Sequence, residues 1–417
     1  MNLYRLELKR VCKTRMTAIL LAIALVLAVV MAYLPVTFIG WTELDASGNE
    51  VRYTGLKAIR KRQEQQVSGT ITPDVMQEAL EAYQRVYLQY DASSINDIPV
   101  EVFYKELARY QPLVNNAKEA FADPKTGMAP GVMRLTAEDM QNFYSQLPKR
   151  LESVIWLEQS GKPGYEQAQA IAQKKFDAVQ KPFTYSFGVS SDAMDYQTLL
   201  SLLLTLLCAV IAAPVFASDA QTGAQDIQLC TKNGGLRLAA AKLAAAFSIT
   251  GAAYLLCGVV WILVTNALFG WESTQTSVQW LFSVTSLLPY TVGQMEWVML
   301  VANFLIFFAE VAFVLMASVW AKNNLTALSV ALISVVAPLI VYMVVPGSFG
   351  EWLSTLIPAG GIGLSNALLY KMIGFDFLYA GGHAFFQADV LLASAPIKIV
   401  LLVGLAIWGY LRKTKVA

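Results

Sequence analysis

The sequence is short of several things that a soluble protein of its size carries. Only 15% of its 417 residues are charged, while 56% are hydrophobic. Soluble domains average about 25% charged residues, so a water-facing surface over the whole chain is excluded. Histidine occurs once, at His383 beside Gly381 and Gly382. A catalytic triad or a histidine-built zinc site therefore has almost nothing to be made from, and His383 reads as a solvated loop residue. The four cysteines are Cys12, Cys208, Cys230 and Cys257. None lies between residues 41 and 195, so a domain there has no disulfides. The G-x-x-x-x-G-K-[ST] phosphate loop is missing, which removes ATP binding by that route. A net charge of +1 gives no bulk attraction for nucleic acid. No cofactor, metal site or enzymatic activity is expected of the chain itself.

What is present is apolar length. Six runs are long enough to cross a hydrocarbon core, which takes about 20 residues: 17–40, 196–217, 238–269, 297–320, 325–345 and 390–410. Residues 1–16 precede the first run with Arg5, Lys9, Arg10, Lys13 and Arg15, and can place Leu3, Leu6 and Val11 on one helical face. That is the pattern of an elbow helix on a membrane surface, or of a plain basic flank. The first run is too long for a signal-peptide core, and no small-residue cleavage site follows it. It is expected to remain as a span that closes at Trp41.

Basic residues orient the spans. An inside amino terminus puts Arg5, Lys9, Arg10, Lys13, Arg15, Lys232, Arg237, Lys242, Lys322, Arg412, Lys413 and Lys415 in the cytoplasm, and leaves only Lys371 in the outer loops 270–296 and 346–389. Both termini are therefore expected inside. Segment 42–195 is polar and carries helix signals. Thr72, Pro73 and Asp74 open one helix, Val100, Phe103, Tyr104, Leu107 and Tyr110 keep helical spacing, and Thr136 to Asp139 forms a capping box. A further pattern covers 165–179. The expected fold is an all-α membrane protein: six transmembrane helices, with a helical extracytoplasmic domain, having its own core, inserted between spans one and two. The other five spans occupy 196–417. Segments 278–289 and 352–369 are apolar but broken by Pro or Gly, and are expected as interfacial or re-entrant pieces.

Glu310 stands near the middle of the fourth run, where an ionised carboxylate costs about 2.5 to 3.5 kcal/mol. Such a group is neutral, paired, or facing a wet cavity. Lys398 in the sixth run is a candidate partner, and Asn303 lies about two turns away on the same helix. A role in transport competes with helix-to-helix bonding.

The polar interlude between the second and third runs, FASDAQTGAQDIQLCTKNGGLRLAAAK from Phe216 to Lys242, predicts a short helix at about 218–231, with Ser218 as N-cap and a break at Gly234-Gly235. It is a docking element or an ordinary connector. Asp219, Gly223, Leu229, Thr231, Arg237 and Lys242 match the acid, Gly, Leu, Thr, Arg and Lys of the loop after the second span in permeases of the ABC type-2 transporter family. The chain resembles that family in its span layout as well, everywhere except 41–195. It departs by having Asp219 in place of the usual Glu and Gly234-Gly235 in place of a Pro. The resemblance implies docking of a separate cytoplasmic ATP-binding subunit on this loop, a second permease copy or a related permease, and a broken outer segment before the last span that partly re-enters the membrane. Leu356 to Gly361 (LIPAGG) fits that role. The expected function is the permease subunit of an ATP-driven exporter in a bacterial cytoplasmic membrane, moving an amphipathic or lipid-like substrate such as an antimicrobial peptide, lipid or drug. The alternatives are a membrane scaffold or receptor acting through its outer domain, and a secondary carrier using Glu310 as a proton site. No inverted repeat supports the carrier.

Overall fold

The structure, a computed structural model, describes residues 3–44, 50–364 and 366–414. Lys415 and the first two residues of the expected elbow lie outside them. The protein is mostly helical, and six helices are long and apolar enough to cross a membrane: Arg15–Phe38, Ser191–Thr222, Leu236–Phe269, Val292–Trp320, Asn324–Val344 and Gln387–Lys413. These are spans one to six of a multi-pass membrane protein. A helix at Leu3–Cys12 precedes them, with Val11 buried and Leu6 exposed.

Two spans begin a full turn or more before their apolar runs. Span two starts at Ser191 because the Ser190 hydroxyl accepts the amide of Ala193. Span four starts at Val292 because Thr291 and Gln294 form a capping box. Span two also runs on to Thr222, through Pro214, where the ring removes a backbone donor and breaks the ladder. Ser318 of span four repairs that break. Its Oγ accepts the amides of Phe216 at 3.1 Å and Ala217 at 3.0 Å, and donates to the carbonyl of Ala213 at 2.6 Å. Backbone groups freed by a proline inside lipid must find such partners.

Span four is the centre of the bundle. About 67% of its apolar window is buried, against 28% for span five and 17% for span six, so the last two keep broad faces for lipid or another chain. Span one packs on spans two and three through Leu20, Ala24, Ala28, Ala32 and Val36, a stripe at helical spacing. Small side chains let the backbones approach, which is how helices gain packing energy in lipid. Gly258 of span three does the same against span four, since a Cβ there would stand 2.3 Å from Cδ1 of Leu300.

Between spans one and two the helix starts are those the capping residues predict. Thr72 accepts the amide of Val75 to open Pro73–Gln89, the Thr136–Asp139 box opens Ala137–Gln141, and Tyr165–Asp177 follows. The mostly helical content with six apolar helices agrees with the all-α expectation. Three two-stranded ladders occur among the described residues. Gly40–Leu44 pairs with Glu50–Thr54, and Gly69–Thr70 with Thr184–Tyr185, closing the segment's beginning on its end. Phe377–Ala380 pairs with His383–Phe386, which leaves His383 exposed at a hairpin turn.

The inserted segment does not keep its core to itself. Trp280 packs against the rings of Phe143, Phe183 and Tyr185 at 6.0–6.5 Å. Gln159 donates to the Phe375 carbonyl at 2.7 Å and accepts from the Tyr379 hydroxyl at 2.9 Å. Residues 278–289 are apolar because they plug this shared core, with Val278, Val284 and Leu287 buried. They do not form an interfacial helix. The segment and the loops after spans three and five thus form one body at one end of the bundle. Helix Leu56–Gln65 clips that body to the spans. Arg62 lies 4.1 Å from the Phe187 ring and 5.8 Å from that of Trp41, and Gln63 donates to the carbonyls of Phe187 at 3.2 Å and Phe269 at 2.6 Å.

Helix Gly347–Leu356 packs back against spans five and six. Lys398, roughly 16 Å along span six at about 1.5 Å per residue, donates to the carbonyls of Thr355 at 3.0 Å and Ile357 at 3.2 Å. The LIPAGG turn is therefore held at mid-length of span six.

Candidate functional site

At the bundle end opposite the inserted segment, the elbow helix, span two and span three meet in a knot of charge. Arg10 reaches Asp219 with Nη1 at 2.8 Å to Oδ1 and 3.0 Å to Oδ2. Its Nη2 donates to the Val215 carbonyl at 2.9 Å, and its Nε lies 2.9 Å from Glu7. Lys242 completes the knot, with Nζ 2.5 Å from Asp219 and 3.4 Å from Glu7. Two acids face two bases, and the Lys242 side chain is fully buried. Such an arrangement ties three elements together and holds each charge only while its partners stay.

This placement corrects the expected docking helix. Ser218 and Asp219 belong to the end of span two, and Gly223 ends that helix in the left-handed region at φ 73°. A six-residue helix, Ala224–Leu229, follows. Of the six residues singled out in the loop, Asp219 and Lys242 are buried in the knot and are unavailable to a partner in this conformation. Gly223, Thr231 and Arg237 are exposed, and Leu229 is half-buried. Thr231 donates to the Gln228 carbonyl at 2.7 Å, and Arg237 to Asn233 at 3.2 Å. The large exposed apolar residue on the short helix is Ile227, 74% exposed, which sequence reasoning passed over. A lone isoleucine among Gln225, Asp226 and Gln228 was its only signal.

The three intramembrane residues do not form one site. Glu310 is fully buried and accepts from the Ser334 hydroxyl of span five. Lys398 forms no ion pair with it among the described residues, because its ammonium serves the carbonyls of Thr355 and Ile357. Asn303 is buried beside Gln197, Ser201 and Tyr254, where the last two hydroxyls lie 2.5 Å apart. A further buried carboxylate was missed. Glu296 accepts from Nδ2 of Asn266 at 2.6 Å, and its carbonyl accepts from Gln197 at 2.9 Å. The Thr291–Gln294 capping box was the sequence signal that places it inside span four.

Where span four leaves the inserted segment, a cavity of about 910 Å³ opens between helix Tyr165–Asp177 and the starts of spans four and six. Ile171, Leu288, Val298 and Phe386 give it apolar walls, and Lys174 and Lys175 stand on its polar side.

Family models, characterised proteins and solved structures were each compared with the chain, and none matches.

Proposed function

We propose that this chain is the membrane subunit of an ATP-driven exporter, as the loop pattern of the ABC type-2 permeases suggests. The observation that carries the reading is the short helix Ala224–Leu229, presented with Ile227 exposed and footed on the knot of Glu7, Arg10, Asp219 and Lys242. A rigid foot under an exposed apolar tip is what a separate ATP-binding subunit needs in order to push on the spans. The basic residues at this end orient it toward the cytoplasm, with the outer body outside a bacterial cell membrane. The broad apolar faces of spans five and six suit a second permease copy or a related permease as well as lipid. The large cavity, apolar with Lys174 and the Lys175–Asp389 pair at one side, suits an amphipathic or lipid-like cargo.

The test is co-expression with ATP-binding subunits from the same genome, followed by affinity purification from membranes. Ile227→Glu should lower recovery of the ATPase by about tenfold, the loss expected for one well-placed interface residue, with the permease still folded in the membrane. Undiminished recovery, together with undiminished permease-stimulated ATP hydrolysis, would sink the docking assignment.

A further inference from the structure

The cavity between helix Tyr165–Asp177 and spans four and six has walls of two kinds. Lys174 and Lys175 line it from the inserted segment, and Val298, Leu392 and Ala393 line it from the spans. The two lysines differ. Lys175 is already paired, 3.1 Å from Asp389 and 4.3 Å from the Phe386 ring. Lys174 makes no hydrogen bond or ion pair among the described residues, and the acid one turn on, Asp177, accepts instead from Gln173 at 2.7 Å. The wall therefore carries one uncompensated positive charge.

The apolar part of the wall belongs to the membrane-spanning helices. Val298 stands inside the start of span four, and Leu392 and Ala393 inside that of span six, each by roughly 8–9 Å at about 1.5 Å per residue. Ala393 is itself exposed, and the same two faces continue past the cavity as Val301, Ile397 and Val400, which are 63%, 61% and 72% exposed. These positions follow at the three- and four-residue steps that keep to one helical face. Tyr290, where span four begins, also lines the cavity, and tyrosines at span ends mark the headgroup layer. One free cation at headgroup level, over an apolar floor that runs on into exposed span surface, matches a molecule with an anionic head and an alkyl tail. A soluble anion would use Lys174 and leave the floor wet. A neutral lipid would use the floor and leave the charge unanswered.

We propose that the cavity holds an anionic membrane lipid drawn from the leaflet on the inserted segment's side, with its headgroup at Lys174 and an acyl chain along Val298, Leu392 and Ala393. One free positive charge selects a head with one negative charge, such as phosphatidylglycerol, over a zwitterionic one. The proposal narrows the amphipathic cargo of the export reading, and rests on that reading in calling the lipid cargo. Lipid binding needs no ATP-binding subunit, so failure of the docking test leaves it standing, and its own failure leaves the docking assignment in place.

The experiment is native mass spectrometry of the full-length protein in detergent, titrated with dioctanoyl phosphatidylglycerol, with its choline analogue, and with decanoate. Phosphatidylglycerol should bind saturably and about fivefold more tightly than the choline lipid, the effect of one basic residue beside an anionic headgroup. Lys174→Gln should abolish that preference. Ala393→Trp fills the floor and should weaken both lipids at least about tenfold, the scale of a few methylenes left unburied. Both residues are exposed, so the two variants should melt as wild type does. Four results would overturn the proposal: no saturable binding of phosphatidylglycerol, equal affinity for the two lipids, a preference unchanged in Lys174→Gln, or an affinity unchanged in Ala393→Trp. Decanoate binding as tightly as phosphatidylglycerol would overturn it too, by assigning the cavity to a free fatty acid. Should Ala393→Trp not fold, the Lys174→Gln comparison decides alone.

Discussion

The two ends of the bundle treat buried charge in opposite ways. At the loop end, Glu7 and Asp219 face Arg10 and Lys242, and each charge has an opposite partner. Deeper in the bundle and toward the inserted segment, Glu310 and Glu296 accept from a hydroxyl and an amide, and neither makes an ion pair among the described residues. A matched set can remain ionised in a half-dry site, and it resists being pulled apart because each loss strands a charge. An unmatched carboxylate in an apolar helix must be neutral or must meet a cation from elsewhere. Charge at the loop end is therefore architecture, whereas the buried carboxyls of the other half are held by neutral partners.

The largest effect that would test this contrast is expected from Asp219→Ala. It leaves the fully buried Lys242 ammonium with only Glu7 at 3.4 Å, and should cost about 3–5 kcal/mol, read as a large drop in melting temperature in detergent. Replacing both members, as Asp219→Leu with Lys242→Met, should recover most of that loss. A single variant as stable as wild type would show that the knot does not hold the elbow to the spans.

Glu310 should respond more mildly, and with the opposite logic. Glu310→Gln preserves shape and an acceptor for Ser334, so stability should hold within about 0.5 kcal/mol, while Glu310→Leu should cost about 1–3 kcal/mol. Loss of cargo efflux in a thermally intact Gln variant would assign Glu310 to cation or proton handling. A Gln variant as unstable as the Leu variant would mean that the carboxylate is charged in the fold, and would erase the contrast between the two ends.

The smallest effect concerns the inserted segment. Glu119 accepts from Ser283 at 2.5 Å and from the Val284 amide at 3.4 Å, and burial lifts its carboxyl above the ordinary 4.5. Burial lifts neighbouring Glu158 in the same direction. For an acid whose folded value is raised, the stabilising contribution is complete below the unfolded value and is lost as pH rises through the folded one. Resistance of the inserted segment to proteolysis should therefore increase as pH falls from 7 toward 5. Glu119→Gln should flatten part of that slope, and a slope identical to wild type would remove Glu119 from the account.

Much of this could be read in the sequence, for identifiable reasons. The spans were visible because lipid demands unbroken apolar length, and the helix starts at Thr72 and Thr136 because capping is local. What was hidden depends on contacts distant in the chain. Arg10 and Asp219 are 209 residues apart, so the knot appeared only as a basic flank and a loop acid. Residues 278–289 looked interfacial because burial against Phe143 and Phe183 produces the same composition as burial in lipid. The strands of the outer hairpins are at most five residues long, and alternation over so short a stretch gives little signal. Glu296 was placed in a loop because the apolar run was allowed to set the helix start, when Thr291 and Gln294 should have set it.

The clip made by Leu56–Gln65 has a mechanical consequence. Trp41 lies just past span one, Phe187 just before span two and Phe269 at the end of span three, and Arg62 and Gln63 touch all three. The inserted segment is thus not a pendant on one flexible stalk but a cap riveted to three posts. Posts that spread or turn must carry the cap with them as a unit. A pair of probes on the cap alone should keep a constant separation under any condition that moves the spans, while probes on spans one and three should register that movement.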